Sequence, residues 1–475
     1  MRVLFQAVGA LGGRVGARFG VAGMSSTGLM STMPAPAKST QASITRGIRQ
    51  VASCSSSAFA AAVASSSFLA SSTASAAMPA QLSVVQPFSS STSLGAQGGG
   101  GGGGGGGGVE GRRGERTQSW QPSLASSLSK VRALVYSENG PPESVLRMAE
   151  AHPLPEVGHG QVLVKVLAAP INPSDINQIE GTYPNRPPLP AVGGNEGVGV
   201  VTDVGAGVKN LKVDDLVVAA RYGLGTWREQ LVCEEDDLIQ VLPDSPLEYA
   251  ATVVVNPTTA YRMLEDFVNL VEGDVVVQNG ATSMVGQAVI QLANVKGVRT
   301  INIIRDRPDL AETVRNLQDL GATVVVTEEQ AEDRSIMKHV MGDLPPPVLG
   351  LNCVGGSSAS SILKVLAPGG TIVTYGGMAK KPVTVSASQL IFKDVIVRGF
   401  WVSRWVELHS KEERLEMINH LLQLAKDEKL KLQIEKVPFA EYQGALEKAL
   451  GKRGHSKAKQ LLRGCSKAKQ LLVME

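Results

Sequence analysis

Two apolar-rich runs, Val131 to Tyr136 (VRALVY) and Gln161 to Ala169 (QVLVKVLAA), carry only isolated polar positions and have turn residues between them. They read as two strands, the second stopped by Pro170 to Pro173. From Gly197 to Ala220 valine alternates with small and polar residues, and Gly205, Gly207, Asp214 and Asp215 divide the run into short strands. A compact, barrel-like β domain is predicted here. A helix around Met263–Glu265 leads out of it.

The period changes at Asp274. Val275–Val277 is a short apolar run, Gln278–Met284 reads as a small polar turn, and Val285, Ala288, Val289 and Leu292 follow helical spacing. Further strands are predicted at Arg299–Arg307, Thr323–Thr327, Val348–Val354, Thr371–Gly377 and Val395–Trp401. Helices are predicted at Leu310–Leu320, ending at Gly321, and at Ser358–Leu366. Alternating strands and helices imply a parallel sheet covered on both faces. The tail adds a helix near Lys411–Lys426, a strand near Leu430–Val437 and a helix near Ala440–Leu450. It also holds SKAKQLL twice, at Ser456–Leu462 and Ser466–Leu472. Nothing in the pattern explains that duplication.

The 475 residues suffice for two domains with sizeable cores behind a leader. With 46 basic against 43 acidic residues the net charge is +3, which offers no basis for nucleic-acid binding. Residues 1–121 form the leader. It has no acid before Glu110, carries Arg2, Arg14 and Arg18 among apolar residues, and continues into a Ser/Ala-rich tract and an unbroken glycine run, Gly98–Gly108. This is the composition of an organelle transit peptide followed by a disordered linker. A mitochondrion is the first reading and a plastid the alternative. Serines interrupt Ala58–Ala77, so no membrane span is expected. Cys54, Cys233, Cys353 and Cys465 are scattered and suggest neither a disulfide framework nor a thiolate metal lobe.

The strand–turn–helix from Asp274 to Ala293 is the opening of a dinucleotide-binding unit, whose helix N-terminus favours a pyrophosphate. The turn keeps Gly280 and Gly286, while Met284 stands where a third small residue is usual. About 20–25 residues further on, where such units read the ribose, Arg305 and Arg307 flank Asp306. Two guanidinium groups suit a 2′-phosphate, so NADPH is the expected cofactor.

At this point the motifs converge on one family. INPSDIN (Ile171–Asn177), AVGGNEGVG (Ala191–Gly199), GLGTWR (Gly223–Arg228), NPTTAYRML (Asn256–Leu264), RTINIIRDRPD (Arg299–Asp309), LNCVGG (Leu351–Gly356), TYGGMAK (Thr374–Lys380) and FKDVIVRGFW (Phe392–Trp401) occur in order. The body after the leader resembles the mitochondrial trans-2-enoyl-thioester reductases of the medium-chain dehydrogenase/reductase superfamily. The resemblance implies an α/β protein with a GroES-like catalytic domain, residues 122–255 and 403–475, and a Rossmann NADPH-binding domain, residues 256–402. It also implies a homodimer that reduces enoyl-CoA or enoyl-acyl carrier protein in mitochondrial fatty acid synthesis.

By the same resemblance Tyr183 is the proton donor. The NADPH contacts fall on Asn256, on Thr282, Ser283, Met284 and Val285, and on Arg305, Asp306 and Arg307. They continue at Tyr375, Gly376, Gly377 and Met378, and at Phe400, Trp401 and Val402. A C-terminal lysine completes them, with Lys459 the better match in register and Lys469 the alternative that the repeat creates.

Zinc enzymes of the superfamily need cysteine and histidine ligands. Here Ser174 and Asn195 occupy the matching places, so no metal is expected and hydrogen bonds must polarise the substrate. His152 and His409 read as surface or packing residues. Two other functions remain open on the sequence: a zinc-independent quinone or alkenal reductase, and a non-catalytic NADPH-binding coregulator.

Overall fold

The computed structural model describes residues 129–451 and 468–474. The leader, Cys54, Cys465, Lys459 and the first SKAKQLL copy lie outside the described residues. The first strands are β1 (Lys130–Tyr136), β2 (Arg147–Pro153), β3 (Gln161–Pro170), β4 (Ala191–Val192), β5 (Val198–Val204), β6 (Leu216–Ala219), β7 (Gln230–Glu234) and β8 (Leu238–Gln240). In β3 the period of two buries Val162, Val164 and Val166 on one face. This strand pairs antiparallel with β5 and with β7, and β5 continues through β6 to β8. A smaller sheet has the order β2-β1-β4.

Six parallel strands follow: β9 (Val275–Asn279), β10 (Arg299–Ile304), β11 (Val324–Thr327), β12 (Leu349–Asn352), β13 (Thr371–Thr374) and β14 (Ile396–Gly399). Their order, β11-β10-β9-β12-β13-β14, reverses direction between β9 and β12. That is the doubly wound arrangement whose ligand crevice lies at the carboxyl ends of the strands flanking the reversal. Val275, Val276 and Val277 are fully buried because helices cover both faces.

Three local readings are corrected. Gln278 is the fourth residue of β9, not part of the turn. Its amide is fully buried and donates to Gly286 O (2.9 Å) and to Asn302 Oδ1 (2.8 Å), which lets a polar side chain sit inside the sheet. The helix starts at Met284, because the Ser283 hydroxyl accepts from Gly286 N at 3.1 Å and caps it. Strand β14 is shorter than Val395–Trp401, since Trp401 is the capping position of a helix, Val402–Leu408. Two helices, Glu328–Glu332 and Arg334–Met341, were not anticipated. Thr327 accepts from Gln330 N (3.2 Å) to start the first, and Asp333 accepts from Ser335 N (2.7 Å) and Ile336 N (3.2 Å) to start the second.

Two late strands return to the β-rich sheet. Strand β15 (Ile434–Pro438) pairs parallel with β16 (Lys469–Val473), and β16 pairs antiparallel with β3. A continuous apolar core then joins the two sheets. It combines Ala168, Val198, Val218 and Ile239 with Met263 and Leu264 of the Asn256–Glu265 helix, and with Leu421 and Leu422 of the Lys411–Lys426 helix. Each fully buried side chain of this kind contributes about 1.5–3 kcal/mol. This apolar core thereby packs the two halves against each other.

Candidate active site

The seam carries a buried polar cluster assembled from distant segments. Asn172 and Asp175 come from the start of the Pro173–Ile179 helix, Asn195 and Glu196 from the loop before β5, Asn256 from the start of its helix and Lys469 from β16. Asn172 Nδ2 donates to Glu196 Oε2 at 2.5 Å, and Asn256 Nδ2 donates to Asn172 Oδ1 at 2.9 Å. Lys469 Nζ also donates to Asn172 Oδ1. Val255 N donates to Glu196 Oε1 at 3.1 Å, so one carboxylate ties the β-rich half to the first turn of the nucleotide-side helix. Asp175 accepts from Asn172 N and from Asn195 Nδ2, both at 2.7 Å. Burial raises Asp175 to about 6 and Glu196 to about 7, while it lowers Lys469.

Asn195 uses its whole amide inside the protein. It donates to Asp175 Oδ1 and to Gln178 Oε1 (3.0 Å) and accepts from Gly223 N at 2.9 Å. Ser174 Oγ is buried without a hydrogen-bond partner. Among the described residues no group of three or more His, Cys, Asp or Glu is placed to hold a metal ion. His409 stacks on Trp405, with ring centroids 4.0 Å apart, and its Nδ1 meets Trp405 O at 2.7 Å.

Tyr183 stands beside this cluster. Trp401 Nε1 donates to Tyr183 Oη at 2.8 Å, and the rings meet edge to face with centroids 6.0 Å apart. Burial raises the Tyr183 phenol above its ordinary value, against the opposing hydrogen bond from Trp401, with Ser403 nearby. The Tyr222 phenol is held still further up by burial, with Ser403 nearby.

The remaining sequence-marked residues lie at the carboxyl ends of the parallel strands. Thr282 to Val285 follow β9, Arg305 to Arg307 follow β10, Tyr375 to Met378 follow β13, and Phe400 to Val402 follow β14. Gly280 has φ +62°, and a Cβ there would meet Cys353 Sγ at 2.5 Å. A Cβ on Gly286 would meet the Ala281 backbone at 2.6–2.8 Å, so the helix can approach the strand only with glycine. Arg307 Nη2 donates to Thr282 Oγ1 at 3.4 Å, Asp306 Oδ1 accepts from Arg307 N at 2.8 Å, and Arg307 Nε is buried without a partner. Arg305 and Asp306 are exposed. These groups fit a phosphorylated nucleotide: a glycine-lined turn, a capped helix start and a guanidinium whose Nε has no partner. Sequence reasoning missed Asn172, Asp175, Glu196, Tyr222 and Ser403 as site residues. The only signal for the first three was polarity inside the INPSD and GNE motifs.

Two family descriptions match the chain: alcohol dehydrogenase GroES-like domain over residues 158–244, and zinc-binding dehydrogenase over residues 285–422. The mitochondrial enoyl-acyl-carrier-protein reductase of Arabidopsis thaliana is 52% identical over 352 residues, covering 74% of this chain and 93% of the relative. The Homo sapiens protein of the same description is 50% identical over 341 residues, covering 72% and 90%. Among solved structures, the mitochondrial 2-enoyl thioester reductase heterodimer from Candida tropicalis is 32% identical with a TM-score of 0.64, covering 72% of this chain and 99% of that one. With more than two-thirds of the chain aligned at this identity, on a fold of two joined halves with the nucleotide-side residues at one crevice, the chain belongs to the mitochondrial enoyl-acyl-carrier-protein reductase family of the medium-chain dehydrogenase/reductase superfamily.

Proposed function

We infer that this chain reduces trans-2-enoyl thioesters, carried on CoA or acyl carrier protein, to saturated acyl thioesters with NADPH. The observation that carries the reading is the Tyr183 phenol. Its oxygen accepts from Trp401 Nε1, which leaves its own proton free to be given away. Burial keeps that proton on the oxygen at neutral pH. Once it is transferred, the Trp401 N–H remains aimed at the phenolate it leaves behind.

Bound NADPH supplies the hydride. The Gly280–Val285 turn would receive its pyrophosphate, and Arg305 and Arg307 its 2′-phosphate. Tyr375–Met378 and Phe400–Val402 would line the approach to the reacting ring. Lys469 is the proposed lysine of this site rather than Lys459, supported by its contact with Asn172, which also bonds Asn256. A related structure is described as the Etr1p complex with NADP and crotonyl-CoA, which supports the same pairing of cofactor and substrate class here.

The test is NADPH oxidation with crotonyl-CoA, set against quinones and free enals. Tyr183→Phe removes one donor and little volume. The variant is expected to keep its fold and NADPH affinity, with kcat and kcat/KM both lower by about 10²-fold. A parental rate, or a change confined to KM, removes Tyr183 from the proton-donor role.

A homodimer joined along β14 is also proposed. This strand ends the six-stranded sheet, with Ile396 and Val397 exposed, and the adjacent Ala387–Lys393 helix exposes Leu390, Ile391 and Phe392 (80%). An apolar edge of this kind is a template for pairing with another chain. Phe392→Glu with Ile396→Lys should give a monomer by light scattering, and an unchanged mass would place the contact elsewhere. The mitochondrion is the proposed compartment, supported by the acid-poor leader and by relatives described as mitochondrial.

A further inference from the structure

The reduction needs two things from the protein at the same moment. As hydride adds to the β carbon, the C=C electron pair shifts toward the carbonyl and negative charge gathers on the thioester oxygen. The resulting enolate then takes a proton at its α carbon and the C=O bond re-forms, so the double bond has gained one hydride and one proton. A phenol that gives its only proton to carbon cannot also hold that proton against the oxygen. Some other donor must face the charge as it develops.

Tyr222 has the required properties. It sits on the loop that follows β6, and the next residue is pinned by the bond from Gly223 N to Asn195 Oδ1. Its hydroxyl is buried, and it lies close enough to Tyr183, Glu196 and Asp175 to feel each of them. Ser403 lies beside both phenols, yet neither Tyr222 Oη nor Ser403 Oγ completes a well-formed hydrogen bond. The Trp401 indole N–H is committed to Tyr183. A tyrosine kept only for packing would do better as phenylalanine, because an unmade hydrogen bond at a buried hydroxyl is unfavourable. Burial first, and then the neighbouring Tyr183, Glu196 and Asp175, keep the phenol protonated, so its O–H is available to donate.

We propose that Tyr222 donates a hydrogen bond to the thioester oxygen while Tyr183 delivers the proton to the α carbon, with Ser403 positioned between the two phenols. This makes Tyr222 a catalytic residue in its own right, and it rests on the enoyl-thioester reading above. The geometry selects substrates that present a carbonyl oxygen conjugated to the double bond.

Tyr222→Phe in the full chain tests it. Loss of a donor to a developing oxyanion lowers kcat by about 10²-fold. Here kcat and kcat/KM for crotonyl-CoA should fall together by that factor, with the KM for NADPH unchanged and the melting temperature of the ligand-free protein no lower than the parent's. Parental turnover, a loss confined to the NADPH KM, or a lowered melting temperature that accompanies the loss would each overturn the assignment. Ser403→Ala provides the second reading: if it alone causes the full loss while Tyr222→Phe causes none, the oxygen is held by Ser403 and the proposal fails. A parent protein that oxidises no NADPH with any enoyl thioester would instead overturn the reaction itself.

Discussion

Two buried polar networks flank the crevice, and they are built on opposite principles. On the β-rich side, Asn172, Asp175, Glu196 and Lys469 combine three charges with amides, and burial shifts both carboxyls upward. On the nucleotide side the network is neutral. Asn279 Nδ2 donates to Asn352 Oδ1 (2.8 Å) and to Ser358 Oγ (3.2 Å), Cys353 N donates to Asn279 Oδ1 (2.8 Å), and Gly355 N donates to Asn352 Oδ1 (3.0 Å). The neutral network holds the loop after β12 whatever the pH. The charged one holds the seam only while its protons are correctly distributed. Rigidity without titration suits a cofactor platform, whereas the seam beside Tyr183 is tied to proton balance.

The largest expected effect falls on the charged side. Lys469→Met removes the buried cation facing two carboxyls, and breaking such a group costs about 3 kcal/mol or more. Urea unfolding near neutral pH should register it, and an unchanged midpoint would show that the amine carries no stabilising charge. Next comes the neutral side. Asn352→Ala strips acceptors from Gly355 N, Val354 N and Asn279 Nδ2. It should destabilise by about 2 kcal/mol, equally at acid and neutral pH; a loss that varied with pH would erase the contrast between the networks.

On the nucleotide side the proposed charge selectivity rests on Arg305 and Arg307. Arg305→Ala with Arg307→Ala should raise the KM for NADPH roughly tenfold or more and leave that for NADH nearly unchanged. Equal losses with both cofactors would make the arginines structural. The smallest effect is a slope. Glu196 is raised in the native state, so its contribution is fully present below the ordinary carboxylate range and is lost as pH rises through about 7. Glu196→Gln should therefore flatten the fall in stability between mildly acidic and mildly alkaline buffer. An unaltered slope would assign the titration to Asp175 or another group.

The asymmetry also separates what could be read in advance from what could not. The parallel strands announce themselves as Val275–Val277 or Thr371–Thr374 because burial on two faces demands local apolar runs. Gly280, Gly286, Arg305 and Arg307 stood out within short stretches, whereas Tyr183 was marked by the family resemblance and not by its local pattern. Gln278 was misread because its hydrogen-bond partners come from elsewhere in the chain. The Glu328–Met341 helices were overlooked because their charged surface hides a narrow apolar stripe around Met337. The charged cluster was the hardest, since Asn172 and Lys469 meet across 297 positions, and Lys469 was named only as an alternative to Lys459. Polar residues in loops look like surface until the fold brings them together.

The pairing of β16 with β3 also sets a timetable. A ribosome releases residues 161–170 long before residues 469–473 exist, and the whole parallel sheet is synthesised in between. The nucleotide-side half can therefore form as soon as β14 emerges. The sheet that bears the seam must wait with the Ala168–Pro170 end of β3 lacking the partner that β16 will supply, beyond the stretch that β7 covers. Long-range strand pairing is slow, and an open apolar edge in the meantime invites aggregation. A strand made late thus completes one made early, and the interval between them is when that open end is most exposed to wrong partners.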